Sequence, residues 1–169
     1  MAVEIERKFL VKESEWQKAR KKARKEHLYQ GYLCRDVGRT VRIRIAGNAA
    51  SLTVKGPSTG AARTEFEYKI PKNDAQIMLQ YVYGALIEKY RYTLLYDDFV
   101  WEVDEFLGEN IGLLVAEVEL EREDQPLALP PWVEREVTGD PRYYNSNLTI
   151  APYCGWPKGH KNNPDGSLS

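Results

Sequence analysis

The chain has 169 residues, enough for one well-buried core and short for two, so a single domain is expected to carry the function. Its charged residues, 29% of the chain, nearly cancel to a net charge of -1, which excludes a broad field for gathering nucleic acid or an anionic membrane and makes any anion site local. Two cysteines, Cys34 and Cys154, and two histidines, His27 and His160, stand apart without ligand spacing, which argues against zinc hydrolysis, a structural disulfide and Ser-His-Asp chemistry.

No apolar run approaches bilayer-spanning length, and the opening MAVEIER is acidic where a secretory leader would be basic and then apolar. A cytoplasmic protein is expected, with no nucleic-acid or membrane partner. Val3 to Leu10 alternates at the strand period, placing Glu4, Glu6, Lys8 and Leu10 on one face and Val3, Ile5, Arg7 and Phe9 on the other. Ser14 to Lys25 reads as a helix with Ser14 as its N-cap and bases crowded toward its C-terminal end, either a solvated face or a cationic collar for polyanions.

Leu28 to Arg35 and Thr40 to Ala46 read as strands joined through Asp36 to Arg39, the second carrying Arg42 and Arg44 opposite Val41, Ile43 and Ile45. Ser51 to Lys55 and Arg63 to Ile70 continue the scheme, with Lys55, Glu65 and Glu67 on the polar faces and Phe66, Tyr68 and Ile70 on an apolar one. Asn73 to Val82 has the spacing of an amphipathic helix that covers an outside wall. Three further strands follow: Ile87 to Leu95 with Lys89 and Arg91, Phe99 to Phe106 with Glu102 and Asp104, and Leu113 to Glu121 with Glu117, Glu119 and Glu121. From Pro130 the pattern shortens to helical pieces, PPWVEREV and PRYYNSNL, and the Gly/Pro/Asn-rich end reads as a tail. The expected division is a domain over residues 1–155 and a C-terminal tail over 156–169.

About eight short amphipathic strands favour a closed antiparallel barrel, because closure removes exposed edges. Its charged faces are expected to point inward. The aromatics Phe9, Phe66, Tyr68, Tyr90, Tyr92 and Trp101 are too bulky for a small lumen, helices need an apolar surface to pack on, and the charges sort by sign onto separate strands. Such a lumen needs a ligand and a cation to partner its buried ions. Arginine and lysine suit phosphate oxygens, whereas paired carboxylates suit hard divalent ions such as Mg2+ or Mn2+.

The order of the doublets resembles the CYTH superfamily, the triphosphate tunnel metalloenzymes: Glu4, Glu6 and Lys8 as E-x-E-x-K, then Arg42 and Arg44, Lys55, Glu65 and Glu67, Lys89 and Arg91, Asp104, and Glu117 and Glu119. The resemblance covers roughly Val3 to Leu148. It implies an α+β, mostly β fold: an eight-stranded tunnel barrel with a charged lumen and helices outside. It further implies a divalent metal and a small-molecule triphosphate substrate. Short members opening EIERKFLV are most similar to inorganic triphosphatases, which cleave tripolyphosphate to pyrophosphate and phosphate with a lysine and a tyrosine helping to activate water.

On that pattern Lys8 and Tyr29 are the catalytic pair, Tyr32 being the alternative tyrosine of opposite strand parity. Arg42, Arg44, Lys55, Lys89 and Arg91 grip the phosphates, and Glu4, Glu6, Glu65, Glu67, Asp104, Glu117 and Glu119 hold one or two Mg2+ or Mn2+ ions. Lys8 is expected to orient or deprotonate the attacking water, on the premise that a lysine among cations loses its proton readily. A class IV adenylate cyclase, a thiamine or nucleoside triphosphatase and a non-catalytic polyphosphate-binding module are the rival readings. Exterior aromatics could form a homodimer face, helix packing being their commoner use.

Overall fold

Strict alternation gives each strand two faces that cannot share one environment, and the chain resolves this by closing on itself. The structure, a computed structural model, describes residues 3–157. Nine strands run among the described residues: β1 (Val3–Val11), β2 (Arg24–Cys34), β3 (Thr40–Ala46), β4 (Ala49–Lys55), β5 (Ala62–Ile70), β6 (Tyr83–Tyr96), β7 (Phe99–Phe106), β8 (Leu114–Glu119) and β9 (Val133–Glu136). The short helices are α1 (Glu13–Ala19), α2 (Lys72–Met78) and α3 (Asn145–Leu148). Eight strands form an antiparallel barrel in the order β5-β4-β3-β2-β6-β7-β8-β1, closed where Val3 to Ile5 pair back onto Ala62 to Thr64. None of the helices among the described residues is long and apolar enough to cross a membrane.

That closing ladder is short, and its shortness explains β9. Below Ile5, β1 leaves β5 and would expose an unpaired edge. The segment expected to be helical, PPWVEREV, instead supplies a strand there, with Phe9 opposite Glu136 and Val11 opposite Val133.

The helix expected over Ser14 to Lys25 ends at Ala19, followed by a 3-10 turn over Arg20–Lys22. Arg24 and Lys25 are drawn into β2 against Thr93 and Tyr92, and the Lys25 ammonium sits 3.9 Å from the centre of the Tyr90 ring. Ser14 is not the cap. Lys12 occupies that position without a side-chain bond, because β1 runs almost directly into the helix. The helix expected over Asn73 to Val82 is α2 with a 3-10 turn, and Ala75 and Leu79 pack with Ile43 and Ala50 on the barrel's outer wall.

The apolar faces look outward. Phe9, Tyr92, Trp101, Val103, Ala116 and Val118 form a core outside the barrel wall, covered by Trp16 of α1 and by Trp132. The three indoles contact edge to face, Trp132 lying 5.2 Å from Trp16 and 5.4 Å from Trp101. Phe66 and Tyr68 on β5 remain exposed.

The inward faces change character toward one end. Following the alternation, β1 passes from Lys8 to Leu10, β7 from Asp104 to Phe106, β8 from Glu117 to Val115 and β6 from Lys89 to Ile87. Leu10, Ile87, Phe106 and Val115 pack with Tyr143, Leu148 and Tyr153 of the C-terminal segment, which closes the barrel there. Trp156, the first residue assigned to the tail, packs 5.2 Å from both Tyr143 and Tyr153, while residues 158–169 lie outside the described residues.

The closure is clamped at Gly84, where the Ala85 N–H donates to the Thr149 carbonyl at 3.0 Å. Gly84 has φ +69°, and a Cβ there would stand 2.7 Å from that carbonyl oxygen. Gly84→Ala should therefore lower stability by about 1–3 kcal/mol, seen as a fall of several degrees in the thermal unfolding midpoint. An unchanged midpoint would show that the C-terminal segment is not held at this point.

Candidate functional site: a two-walled charged cavity

The barrel encloses a cavity of about 290 Å³ whose lining is almost wholly polar. Glu4, Glu6, Lys8, Arg42, Arg44, Lys55, Glu65, Glu67, Lys89, Arg91, Glu117 and Glu119 all line it, so the expected inversion of faces brings these twelve together. Register explains how. Lys8 lies opposite Glu117 and Glu6 opposite Glu119 on β8, Lys55 lies opposite Glu65 on β5, and Arg42 lies opposite Thr53 on β4. Arg63, Thr40, Tyr144, Asn145 and Ser146, to which the sequence pattern gives no role, complete the lining with Tyr32 and Glu102.

The acidic wall is made by β1, β5, β7 and β8. Glu6 and Glu119 are like charges directly opposed, a destabilising arrangement. Burial, Glu117 and Glu4 push the Glu6 carboxyl up to about 8. Burial also raises Glu65 to about 7, against the pull of Lys55, and raises Glu119. Glu4 is held down to about 2 despite its burial, because the Lys55 ammonium lies 3.0 Å away. Glu117 stays well below the usual carboxylate range against its burial, with Lys8 at 3.1 Å and Arg91 at 3.4 Å.

The basic wall is made by β3 and β6; Arg91 on β6 is paired with Asp104, Glu102 and Glu117, and it is β3 that is short of anions. Burial, Arg42 and Arg91 push the Arg44 guanidinium down to about 9. Arg42 donates from Nη2 to Thr53 at 3.0 Å, but its buried Nε has no partner within the protein. A guanidinium N–H left unmet in a polar cavity suits an anionic oxygen.

Three expectations need correction. Tyr29 faces outward, in a groove with His27, Ile45 and Leu79, and it is Tyr32 that lines the cavity; strand parity admits only one of the two, and Gln30 and Tyr32 share the inner face. Asp104 is fully buried beneath the cavity, with Oδ1 accepting from Arg91 Nε at 2.8 Å and Oδ2 from Arg91 Nη2 at 2.9 Å and Lys89 Nζ at 2.5 Å. Both oxygens are committed to cations, so Asp104 is a counter-ion of the floor and not a free metal ligand. Lys8 is not among cations either. Burial works against its charge, yet Glu117 and Glu6 hold it well above the ordinary lysine range, which favours the ammonium form.

No three acidic, histidine or cysteine side chains among the described residues are already drawn together as a metal nest. The donor set nevertheless fits a hard divalent ion: Glu4, Glu6, Glu65, Glu67, Glu102 and Glu119 are carboxylates on one wall, and burial with mutual crowding raises Glu6, Glu65 and Glu119, a cost of ionisation that a bound cation would offset.

A family model described as the CYTH domain matches residues 2–144. The chain is 49% identical over 155 residues to an inorganic triphosphatase of Acetivibrio thermocellus, covering 90% of this chain and 97% of that protein. It is 34% identical over 128 residues to an inorganic triphosphatase of Nitrosomonas europaea, covering 73% and 84% respectively. A solved structure of an inorganic triphosphatase superposes with a TM-score of 0.61 at 32% identity, covering 89% of this chain and 96% of that one.

Crowded carboxylates make stability depend on pH. Glu6 and Glu65 have folded-state values raised above 4.5, so between pH 4.5 and 7 the folded chain binds more protons than the unfolded one, and stability falls as pH rises. Glu4 and Glu117, lowered, lose their contribution only below 4.5, and that of Lys8 is lost only above 10.5. The unfolding midpoint in chelator should thus decline from pH 5 to pH 7, and added Mg2+ or Mn2+ should flatten most of that slope. A midpoint that rises over this range and ignores the metal would contradict the crowding.

Proposed function

The chain belongs to the CYTH family, and from that premise we propose that it is a triphosphatase whose charged cavity hydrolyses inorganic triphosphate. The observation that carries this reading is the pair of under-neutralised walls: the guanidiniums of Arg42 and Arg44 on β3, short of anions, face carboxylates short of cations on β1, β5 and β8. A metal-complexed polyphosphate is complementary to both at once, whereas a bare anion would meet the acids and a bare cation the arginines.

In the finer mechanism the substrate is tripolyphosphate and the products are pyrophosphate and phosphate, one water being consumed as one P–O bond breaks. Arg42, Arg44 and Arg91 hold the phosphate chain, with Lys55 and Arg63 placed where basic and acidic walls meet. Glu4, Glu6, Glu65, Glu67 and Glu119, with Glu102, would hold Mg2+ or Mn2+ on the opposite side. When bound, such an ion neutralises developing phosphate charge and polarises water. Lys8, fixed by Glu117 at 3.1 Å, keeps its proton and directs it at the attacked phosphoryl group or the entering water. Tyr32 offers a hydroxyl to the same space. Lys89, bonded to Asp104 and Asn145, braces Arg91 from below more than it grips substrate. A closed end favours a compact inorganic chain, because Tyr144, Asn145 and Ser146 of the sealing C-terminal segment line the cavity there.

The test is release of phosphate from tripolyphosphate with and without Mg2+ or Mn2+, run beside cyclic AMP formation from ATP. Metal-dependent phosphate release without cyclic AMP is expected. Arg42→Ala, which leaves no buried carboxylate unpaired, should lower kcat/KM by about 10²-fold or more with little change in the unfolding midpoint; a rate within a few-fold of the parent would overturn the assignment of the basic wall.

A further inference from the structure

Under the cavity floor lies a glutamine that no charged motif singles out. Gln30 is fully buried on the inner face of β2. Its Oε1 accepts from Arg44 Nε at 2.8 Å, and its Nε2 donates to the Tyr32 hydroxyl and to Asn145 Oδ1, both at 3.3 Å. Asn145 Oδ1 also accepts from Lys89 Nζ at 2.9 Å.

The donor and acceptor roles in this chain are dictated by its ends. A guanidinium can only donate, so Arg44 fixes the Gln30 carbonyl toward itself and turns the amide nitrogen toward Tyr32 and Asn145. Tyr32 therefore receives a hydrogen bond from Gln30, which leaves its own proton free to be donated to a group in the cavity that Tyr32 lines. Lys89 likewise holds the Asn145 carbonyl in the accepting orientation.

We propose that Gln30 is a positioning residue, which sets Arg44 in place for the phosphate chain and directs the Tyr32 proton at the reacting group, with Asn145 tying the closed C-terminal end to that alignment. The proposal rests on the triphosphatase reading above. It separates two duties of one side chain. The bond to Arg44 serves binding, and the bond to Tyr32 serves the chemical step.

Gln30→Glu keeps the acceptor for Arg44 but removes the donor, so Tyr32 turns its proton onto the new carboxylate. The expected result is a kcat lowered about tenfold or more with KM within about twofold of the parent. Gln30→Leu removes the bonds to Arg44, Tyr32 and Asn145 and should lower kcat similarly while raising KM about fivefold or more. Tyr32→Phe should abolish the effect on turnover: either change at Gln30, made on top of it, should cost less than about twofold further in kcat. A purely structural role for Gln30 would multiply with Tyr32→Phe instead. If Gln30→Glu does not fold, as judged by circular dichroism, the cycle of Gln30→Leu with Tyr32→Phe decides alone. A parent active on tripolyphosphate whose Gln30 variants turn over within threefold of it, or whose losses multiply with Tyr32→Phe, overturns the proposal and leaves the triphosphatase reading standing. A parent that releases no phosphate from tripolyphosphate overturns both.

Discussion

Charge removed from water must be met by charge of the opposite sign or by a ligand, and in this barrel that requirement orders everything else. Asp104 sits at its centre of gravity, fully buried with three cationic hydrogen bonds from Arg91 and Lys89. Removing either cation would leave this buried carboxylate with only one of its two cationic partners, and removing Asp104 would leave two cations facing Arg44. The floor of the cavity is thus a satisfied polar network, while the walls above it are deliberately unbalanced. Glu6, raised to about 8, and Arg44, lowered to about 9, mark the imbalance on the two sides.

Because side chains alternate, an interior given to charge forces the apolar residues out. The protein therefore builds its main hydrophobic core outside the barrel, where Trp16, Trp101 and Trp132 close over β1, β7 and β8. One end of the barrel reverts to apolar packing through Leu10, Ile87, Phe106 and Val115, and the C-terminal segment seals it. Asn145 belongs to both arrangements: it opens the helix that packs on this seal and its side chain bonds Lys89 and Gln30 in the cavity. Stability and site geometry are linked at that residue.

Much of the site was legible because a two-residue period is local. Glu4, Glu6 and Lys8, Arg42 and Arg44, or Glu117 and Glu119 declare a shared face without any knowledge of what lies opposite. The choice of which face is interior was legible too, from the bulk of the aromatics and the sorting of charge by strand. What escaped depends on pairing across the fold. Tyr29 and Tyr32 differ in parity, and only the closed barrel shows that the face Tyr32 shares with Gln30 is the inner one. Lys8 looks like a lysine in a cationic series until Glu117 is found opposite it. Val133 to Glu136 have no strand signal of their own and are recruited by an edge that β5 abandons. Gln30 and Asn145 are uncharged residues 115 positions apart, and nothing in the sequence joins them before the barrel closes.

On the reading proposed above, one cavity holds a polyanion on its arginine wall and a divalent cation on its carboxylate wall at the same time. A crystal structure of the protein with Mn2+ and tripolyphosphate, with anomalous scattering used to locate the metal, tests it most directly. Phosphate oxygens are expected at Arg42, Arg44 and Arg91, with an anomalous peak among Glu4, Glu6, Glu65 and Glu119 and the phosphate chain bridging the two. Phosphate bound on the barrel exterior, or manganese away from those carboxylates, would contradict it.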